Sequence, residues 1–233
     1  MPFKRVWDAS CPREYDRWED GGVTWVIQDL PPEDDVKAVK LFVEHFLPDE
    51  ALCIASGMTN DELSIRSMTD FWLACVAQRT SLACYAIKDD VRTLAAVNCC
   101  IVSSADDHDE ICKIEGKAWT NVYEALHYAE SRVNVYEFLG LDKVLYAMGL
   151  IVKREYRGAR LGSRVLNARA PLALGMGVKA TSTIFTGPAS QKSAERAGFT
   201  TVAEVSFKEL AAAGLNYPLE DKSIKLMVKK FVS

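Results

Sequence analysis

Residues 149–166 read GLIVKREYRGARLGSRVL, and the fold turns on how this stretch is read. Leu150, Ile151 and Val152 form a short apolar run with the character of a strand. Lys153 to Arg157 make a basic turn. Gly158-Ala159-Arg160-Leu161-Gly162-Ser163 follows, and a helix is expected from Leu161. Strand, glycine-containing turn and helix in that order make a cradle for phosphate. Glycine lets the backbone approach a ligand closely. The first N–H groups of a helix lack intrahelical partners, and the helix dipole favours an anion there. An ordinary strand-to-helix turn closed by glycine has the same local sequence, so the spacing must decide.

A dinucleotide-binding turn requires G-x-G-x-x-G, with an acidic residue about 20 positions later. A nucleoside-triphosphate loop ends in Gly-Lys-Ser/Thr. Neither is present. Arg157-x-x-x-x-Gly162 instead resembles the pyrophosphate-binding signature of the GNAT acetyltransferase superfamily, Q/R-x-x-G-x-G/A, with Arg160 standing where that signature has its first glycine. The resemblance implies coenzyme A bound along Leu150, Ile151 and Val152 and around Arg157, Gly158, Ala159, Arg160, Leu161, Gly162 and Ser163. The basic residues Lys153, Arg154, Arg157, Arg160 and Arg164 read either as a solvated face or as phosphate contacts.

The chain has 233 residues, 49% of them hydrophobic and 26% charged. That length fits one large domain or two small ones and buries a sizeable core. A net charge of −4 argues against a general nucleic-acid binder, which carries a basic excess. The N-terminus has no apolar signal core, and no apolar run approaches the ~20 residues that span a bilayer. Seven scattered cysteines, none in a C-x-x-C pair, read as reduced thiols in a cytoplasmic protein. His45, His108 and His127 do not pair with cysteines at zinc-ligand spacing, so no metal is expected.

Along the chain, residues 1–22 read as an N-terminal surface segment, and the resemblance makes 23–233 a GNAT-like acyltransferase domain. Val23 to Asp29 alternates apolar and polar residues and is expected to be the first strand. A helix is expected from Glu33 to near Pro48 and a second from Asp61 to Ala77. Ser81–Lys88 and Arg92–Val102 form a hairpin across Asp89-Asp90. An acidic loop, Ser103 to Glu115, precedes a helix over Ala118–Arg132. Strands are expected at Lys143–Val152, Val178–Phe185, Thr201–Phe207 and Ser223–Phe231, with helices at Leu161–Leu174 and Ser190–Ala197. The result is a single α/β (α+β) domain with a central mixed sheet and helices on both faces. By resemblance to GNAT proteins, the sheet should splay where Lys143–Val152 meets Val178–Phe185, admitting the pantetheine arm of coenzyme A.

Three separated segments are similar to the insect arylalkylamine N-acetyltransferases: Pro48-Asp49-Glu50-Ala51-Leu52, Tyr156 to Leu166, and FTGPASQKSAERAGF at Phe185–Phe199. With the order of elements, the similarity spans residues 23 to 231. It implies direct attack of an amine on the thioester of acetyl-CoA or a longer acyl-CoA, without a metal. An alkylamine arrives mostly protonated, since it titrates near ~10.4, so a base must take its proton. The resemblance gives Glu50 that role. A solvated helix end is the alternative for Asp49-Glu50. The tyrosine that many GNAT members use to protonate the thiolate is Ala194 here. Ser190 matches an active-site serine of the insect family, and Thr186 keeps a hydroxyl at the position of another. Ser190 also suits a helix N-cap.

Phe46, Trp119 and Tyr146 are candidates to line an amine pocket, or core residues. Asp106, Asp107, Asp109 and Glu110 form a run able to attract a polyamine, or a solvated loop. The leading expectation is transfer of acetyl to a small arylalkylamine or other primary amine. Agmatine, a polyamine or an amino acid such as glycine is the alternative acceptor. An idle acyl-CoA-binding module is the reading from another class, and Arg160 in the signature is what sustains it.

Overall fold

The computed structural model describes residues 3–106 and 111–231. Asp107, Asp109 and Glu110 of the acidic run lie outside the described residues. One mixed sheet runs through the molecule in the order β1-β2-β3-β4-β5-β6-β8-β7. Its strands are β1 (Glu14–Asp20), β2 (Val23–Asp29), β3 (Leu82–Lys88), β4 (Val91–Ser104), β5 (Lys143–Val152), β6 (Ala180–Phe185), β7 (Thr200–Ser206) and β8 (Ser223–Lys230). Every pairing is antiparallel except β5 with β6. That parallel pair registers only at Leu145–Thr181 and Tyr146–Ser182. Beyond Tyr146 the two strands part, so the expected splay is present.

The helices are α1 (Asp35–Leu41), α2 (Ala51–Ser56), α3 (Glu62–Val76), α4 (Lys117–Glu130), α5 (Val135–Leu139), α6 (Leu161–Leu174), α7 (Pro188–Arg196) and α8 (Phe207–Ala212). The sheet buries both faces. On one, Phe42 just past α1, Phe71 and Trp72 of α3 and Trp119 of α4 pack with Val97, Ile151 and Leu226. On the other, α6 lays Leu161, Val165, Ala168 and Leu172 against Trp25, Cys84, Ala96 and Leu145. This is the two-sided α/β arrangement that the alternation of elements implied. None of the seven cysteines is paired in a disulfide, and no described helix is long and apolar enough to cross a membrane.

The first strand is not Val23–Asp29 but Glu14–Asp20, which lies inside the stretch read as a surface wrapping. EYDRWED carries too many charges to look like a strand. Charge is what an edge strand needs, since it discourages pairing with another chain. Trp18 stacks on Trp25 at 5.9 Å, and Arg164 of α6 covers Trp18 at 4.0 Å while donating to Asp16 at 2.9 Å. The hairpin turn does form at Asp89-Asp90, with φ of 48° and 60°, the left-handed pair that a two-residue turn demands.

Candidate active site

Where β5 and β6 separate, two cavities meet. A basic groove of about 750 Å³ runs past Leu150, Ile151, Val152, Arg157, Gly158, Arg160, Leu161 and Gly162. A smaller apolar chamber of about 100 Å³ lies deeper, bordered by Phe71, Trp119, Val122, Tyr146 and Met148. Phe46, Glu50, Leu150, Thr186 and Ser190 border both. The three residues singled out as catalytic are therefore brought together at one junction, and the three candidate pocket aromatics line the chamber.

The groove ends on the first turn of α6, whose leading N–H groups have no intrahelical acceptor. Arg160, Lys192, Arg196 and Lys222 border it with Arg157, against Asp49, Glu50 and Glu220. This donor-rich, cationic trough fits a pyrophosphate. Arg157 itself is engaged elsewhere. Its Nε donates to Val152 O at 3.0 Å and its Nη1 to Asp49 at 2.6 Å. Arg164 is spent on β1, so the basic residues of the turn divide between groove and scaffold. Ala159 does not border the groove in this structure, while Ser163 Oγ donates to Ser193 O at 3.2 Å. A Cβ at Gly162 would sit 3.4 Å from Ser193 Oγ, an ordinary contact, so the packing of α7 does not itself demand glycine there.

Backbone alternation selects the donors that face the gap. Lys153 N donates to Ala95 O of β4. In an antiparallel ladder each residue turns its N–H and C=O to one neighbour, alternately. Ile151 therefore faces β4, and Leu150 and Val152 face the splay. Upstream, Gly149 has φ of 146°, and a Cβ there would meet Phe42 Cε1 at 2.8 Å. The β4/β5 register is irregular beside this residue, and only glycine suits both the positive φ and the close approach of Phe42.

Glu50 is neither a solvated end nor a free carboxylate. It is the N-cap of α2, accepting from Leu52 N at 3.1 Å and Cys53 N at 2.7 Å, and Thr186 Oγ1 donates to its Oε1. A carboxylate has about four lone-pair sites, so three donors leave room for one more. Ser190 is not an N-cap. Gly187 takes that position, and Ser190, in the first turn of α7, donates to Gly187 O at 2.8 Å and accepts from Gly187 N at 3.3 Å. Beyond the chamber a cavity of about 530 Å³ shares Phe71, Leu126, Tyr146 and Met148 with it. Burial raises the Glu130 carboxyl there, and burial beside Glu130 raises the Tyr146 phenol.

No protein-family model matches the chain, and no protein of curated function matches it in sequence. Solved structures do match. A yellow fever mosquito (Aedes aegypti) protein provisionally named arylalkylamine N-acetyltransferase 7 superposes with a TM-score of 0.90 at 28% identity, covering 98% of this chain and 99% of its own. The chain resembles the insect arylalkylamine N-acetyltransferases and has the GNAT fold. Arylalkylamine N-acetyltransferase 2 of Aedes aegypti gives 0.75 at 18% identity, over 89% and 99% of the two chains. The Drosophila melanogaster polyamine N-acetyltransferase gives 0.70 at 17%, over 89% and 100%. At these lower identities the likeness is one of fold.

Four buried side-chain polar atoms have no partner among the described residues: Gln78 Oε1, Trp119 Nε1, Arg169 Nη2 and Ser182 Oγ. Trp119 and Arg169 border the chamber, and Gln78 and Ser182 border the cavity beside it. Sequence reasoning missed Arg169, Gln78 and Ser182. One signal was available for Arg169. It shares a helix face with Leu161, Val165, Leu166 and Leu172, where an arginine is out of place.

Proposed function

We propose that the protein is an acyl-CoA-dependent N-acyltransferase that transfers acetyl, or a longer acyl group, to a small primary amine of the arylalkylamine kind. The observation that carries this reading is the meeting of Glu50, Thr186 and Ser190 where a basic groove opens into an aromatic chamber. The groove would take coenzyme A, with the α6 N-terminus and its cations on the pyrophosphate. The aromatic walls of the chamber suit an aryl ring.

In this reading the amine nitrogen attacks the thioester carbonyl carbon. Glu50 takes the ammonium proton, directly or through one water, at the lone-pair site that its cap bonds leave open. The Leu150 N–H, turned into the gap, donates to the oxyanion as it develops. Collapse of the intermediate breaks the C–S bond. Ser190 Oγ turns from Gly187 O to donate to the departing thiolate, and Thr186 holds Glu50 in place. The nitrogen, positively charged after attack, loses its second proton, and the thiolate takes up one, so the products are a neutral amide and coenzyme A thiol. The seven thiols fit a reducing compartment, so the enzyme is assigned to the cytoplasm.

Thiol release from acetyl-CoA and a longer acyl-CoA, measured across arylalkylamines, agmatine, polyamines and glycine, tests this function. Turnover on an arylalkylamine is expected. Coenzyme A binding without turnover on any amine would replace the enzyme with a binding module.

A further inference from the structure

Arg169 of α6 is fully buried. Its Nε donates to Asn98 Oδ1 at 2.7 Å, and its Nη1 to Thr183 Oγ1 at 2.8 Å and Thr181 Oγ1 at 3.3 Å. All three acceptors are neutral. Among the described residues no carboxylate forms an ion pair with it, and Nη2 has no acceptor at all. A buried charge is ordinarily paired, because burial without a counter-ion is expensive. Burial accordingly lowers the tendency of this guanidinium to hold its proton, yet arginine stays charged. The Phe199 ring, 5.7 Å away, is a weak substitute for an anion.

Position gives this imbalance a function. Thr181 and Thr183 lie on β6, and Thr181 is the partner of Leu145 in the last stretch where β5 and β6 still pair. Asn98 Nδ2 donates to Gly149 O at 2.7 Å, one residue before Leu150. The guanidinium thus stands at the apex of the splay, on the α6 side, and borders the chamber beside Gly149, Leu150 and Thr183. An acyl group attached to a thiol at Leu150 would extend toward this apex.

We infer that Arg169 reads a carboxylate at the far end of the acyl group, so that the enzyme prefers the coenzyme A thioester of a short dicarboxylic acid, such as succinyl-CoA, over an uncharged acyl-CoA of equal length. A carbonyl oxygen would satisfy Nη2 but leave the charge uncompensated, whereas a carboxylate does both and accepts charge-assisted bonds. The transfer balances as before. The amine nitrogen forms the C–N bond, the C–S bond breaks, Glu50 takes the amine proton, and the product amide keeps its distal carboxylate. This inference rests on the proposed acyltransferase reading and specifies its donor.

The decisive measurement is on the unaltered protein. Succinyl-CoA and butyryl-CoA are compared as donors to the same amine, with acetyl-CoA alongside. Binding of the thioethers S-(3-carboxypropyl)-CoA and S-butyl-CoA is followed by calorimetry. The carboxylate member of each pair should win by roughly 10²-fold or more, as expected when a site built to pair a polar group meets an analogue lacking it. In Arg169→Met the donor ratio, taken within that one variant, should fall toward unity, and Arg169→Lys should keep part of it. Equal or better use of butyryl-CoA by the unaltered protein overturns the inference. If Arg169→Met loses all donors alike, Arg169 serves a neutral carbonyl and the inference is again overturned. Turnover of acetyl-CoA with no carboxylate preference removes this inference alone, whereas failure to bind any coenzyme A thioester removes the acyltransferase reading and this one with it.

Discussion

Arg157 Nη1 lies 2.6 Å from Asp49 Oδ2, and Arg154 Nη2 lies 2.6 Å from Asp49 Oδ1. One carboxylate therefore ties the turn between β5 and α6 to the loop carrying Glu50. Hydrogen bonding from Arg157 holds the Asp49 carboxyl below its usual range. The sign follows from linkage: a carboxyl depressed in the folded state stabilises above its unfolded pKa of ~3.9 and loses that contribution as pH falls through the folded value. The groups are partly exposed, so the contribution is below ~1 kcal/mol. Asp49→Asn should therefore barely change the melting temperature at pH 7. It should lower kcat/KM, because the base and that turn lose their common anchor. A large loss of stability with unchanged kcat/KM would contradict this role.

Glu50 has two duties that a single variant can separate. Glu50→Gln keeps an oxygen to accept from Cys53 N or Leu52 N, so much of the α2 cap survives, but an amide takes no proton. We expect kcat/KM to fall by roughly 10²–10⁴-fold, the range for a positioned general base, while stability drops by less than ~1 kcal/mol. Glu50→Ala should add the loss of the cap, ~1 kcal/mol. Near-normal turnover by Glu50→Gln on the true amine would remove Glu50 as the proton acceptor.

Ser190→Ala deletes both bonds to Gly187, so a modest destabilisation of ~0.5–1.5 kcal/mol is expected from lost hydrogen bonding. If the hydroxyl also serves the thiolate, kcat falls as well while acyl-CoA affinity holds, because that contact strengthens only as charge develops. Thermal melting and steady-state kinetics on the one variant read both effects. Lowered melting with unchanged kcat would leave Ser190 a structural residue of the turn.

The strongest local patterns were legible in the sequence. Lys143–Val152 and Leu161–Leu174 have the bounds expected of them, since an apolar strand, a glycine turn and an amphipathic helix leave little freedom. The Glu14–Asp20 strand was hidden because its supports lie elsewhere in the chain, with Trp25 stacked on Trp18 and Arg164 paired with Asp16. The helices Ala51–Ser56, Val135–Leu139 and Phe207–Ala212 were missed because six residues or fewer carry no readable period. The grouping of Glu50, Thr186 and Ser190, proposed here as catalytic, came only through resemblance. Glu50 and Thr186 are 136 positions apart, and no spacing rule joins them. That Arg157 would turn to Asp49, and Arg169 into the splay, are facts of packing.

Arg160 offers the sharpest test of the turn. It occupies the N-cap of α6 with φ 57° and ψ 19°, a left-handed conformation. Where the superfamily signature has glycine, the backbone here still adopts the shape glycine favours, and a side chain bears the strain. A non-glycine residue pays ~1–2 kcal/mol in that region, offset in part by glycine's greater freedom in the unfolded chain. Arg160→Gly should thus stabilise the protein by ~0.5–1 kcal/mol despite losing a side chain. Its effect on coenzyme A separates the two roles of the arginine. If Arg160 contributes a phosphate contact, affinity weakens and becomes less sensitive to salt, since screening acts on the lost charge. If it crowds the approach, affinity rises and its salt dependence changes little. We expect the first outcome, because Arg160 borders the groove with Lys192 and Arg196. Calorimetry at two ionic strengths, with a melting curve, decides it; a destabilised variant would show that the left-handed turn costs the arginine nothing.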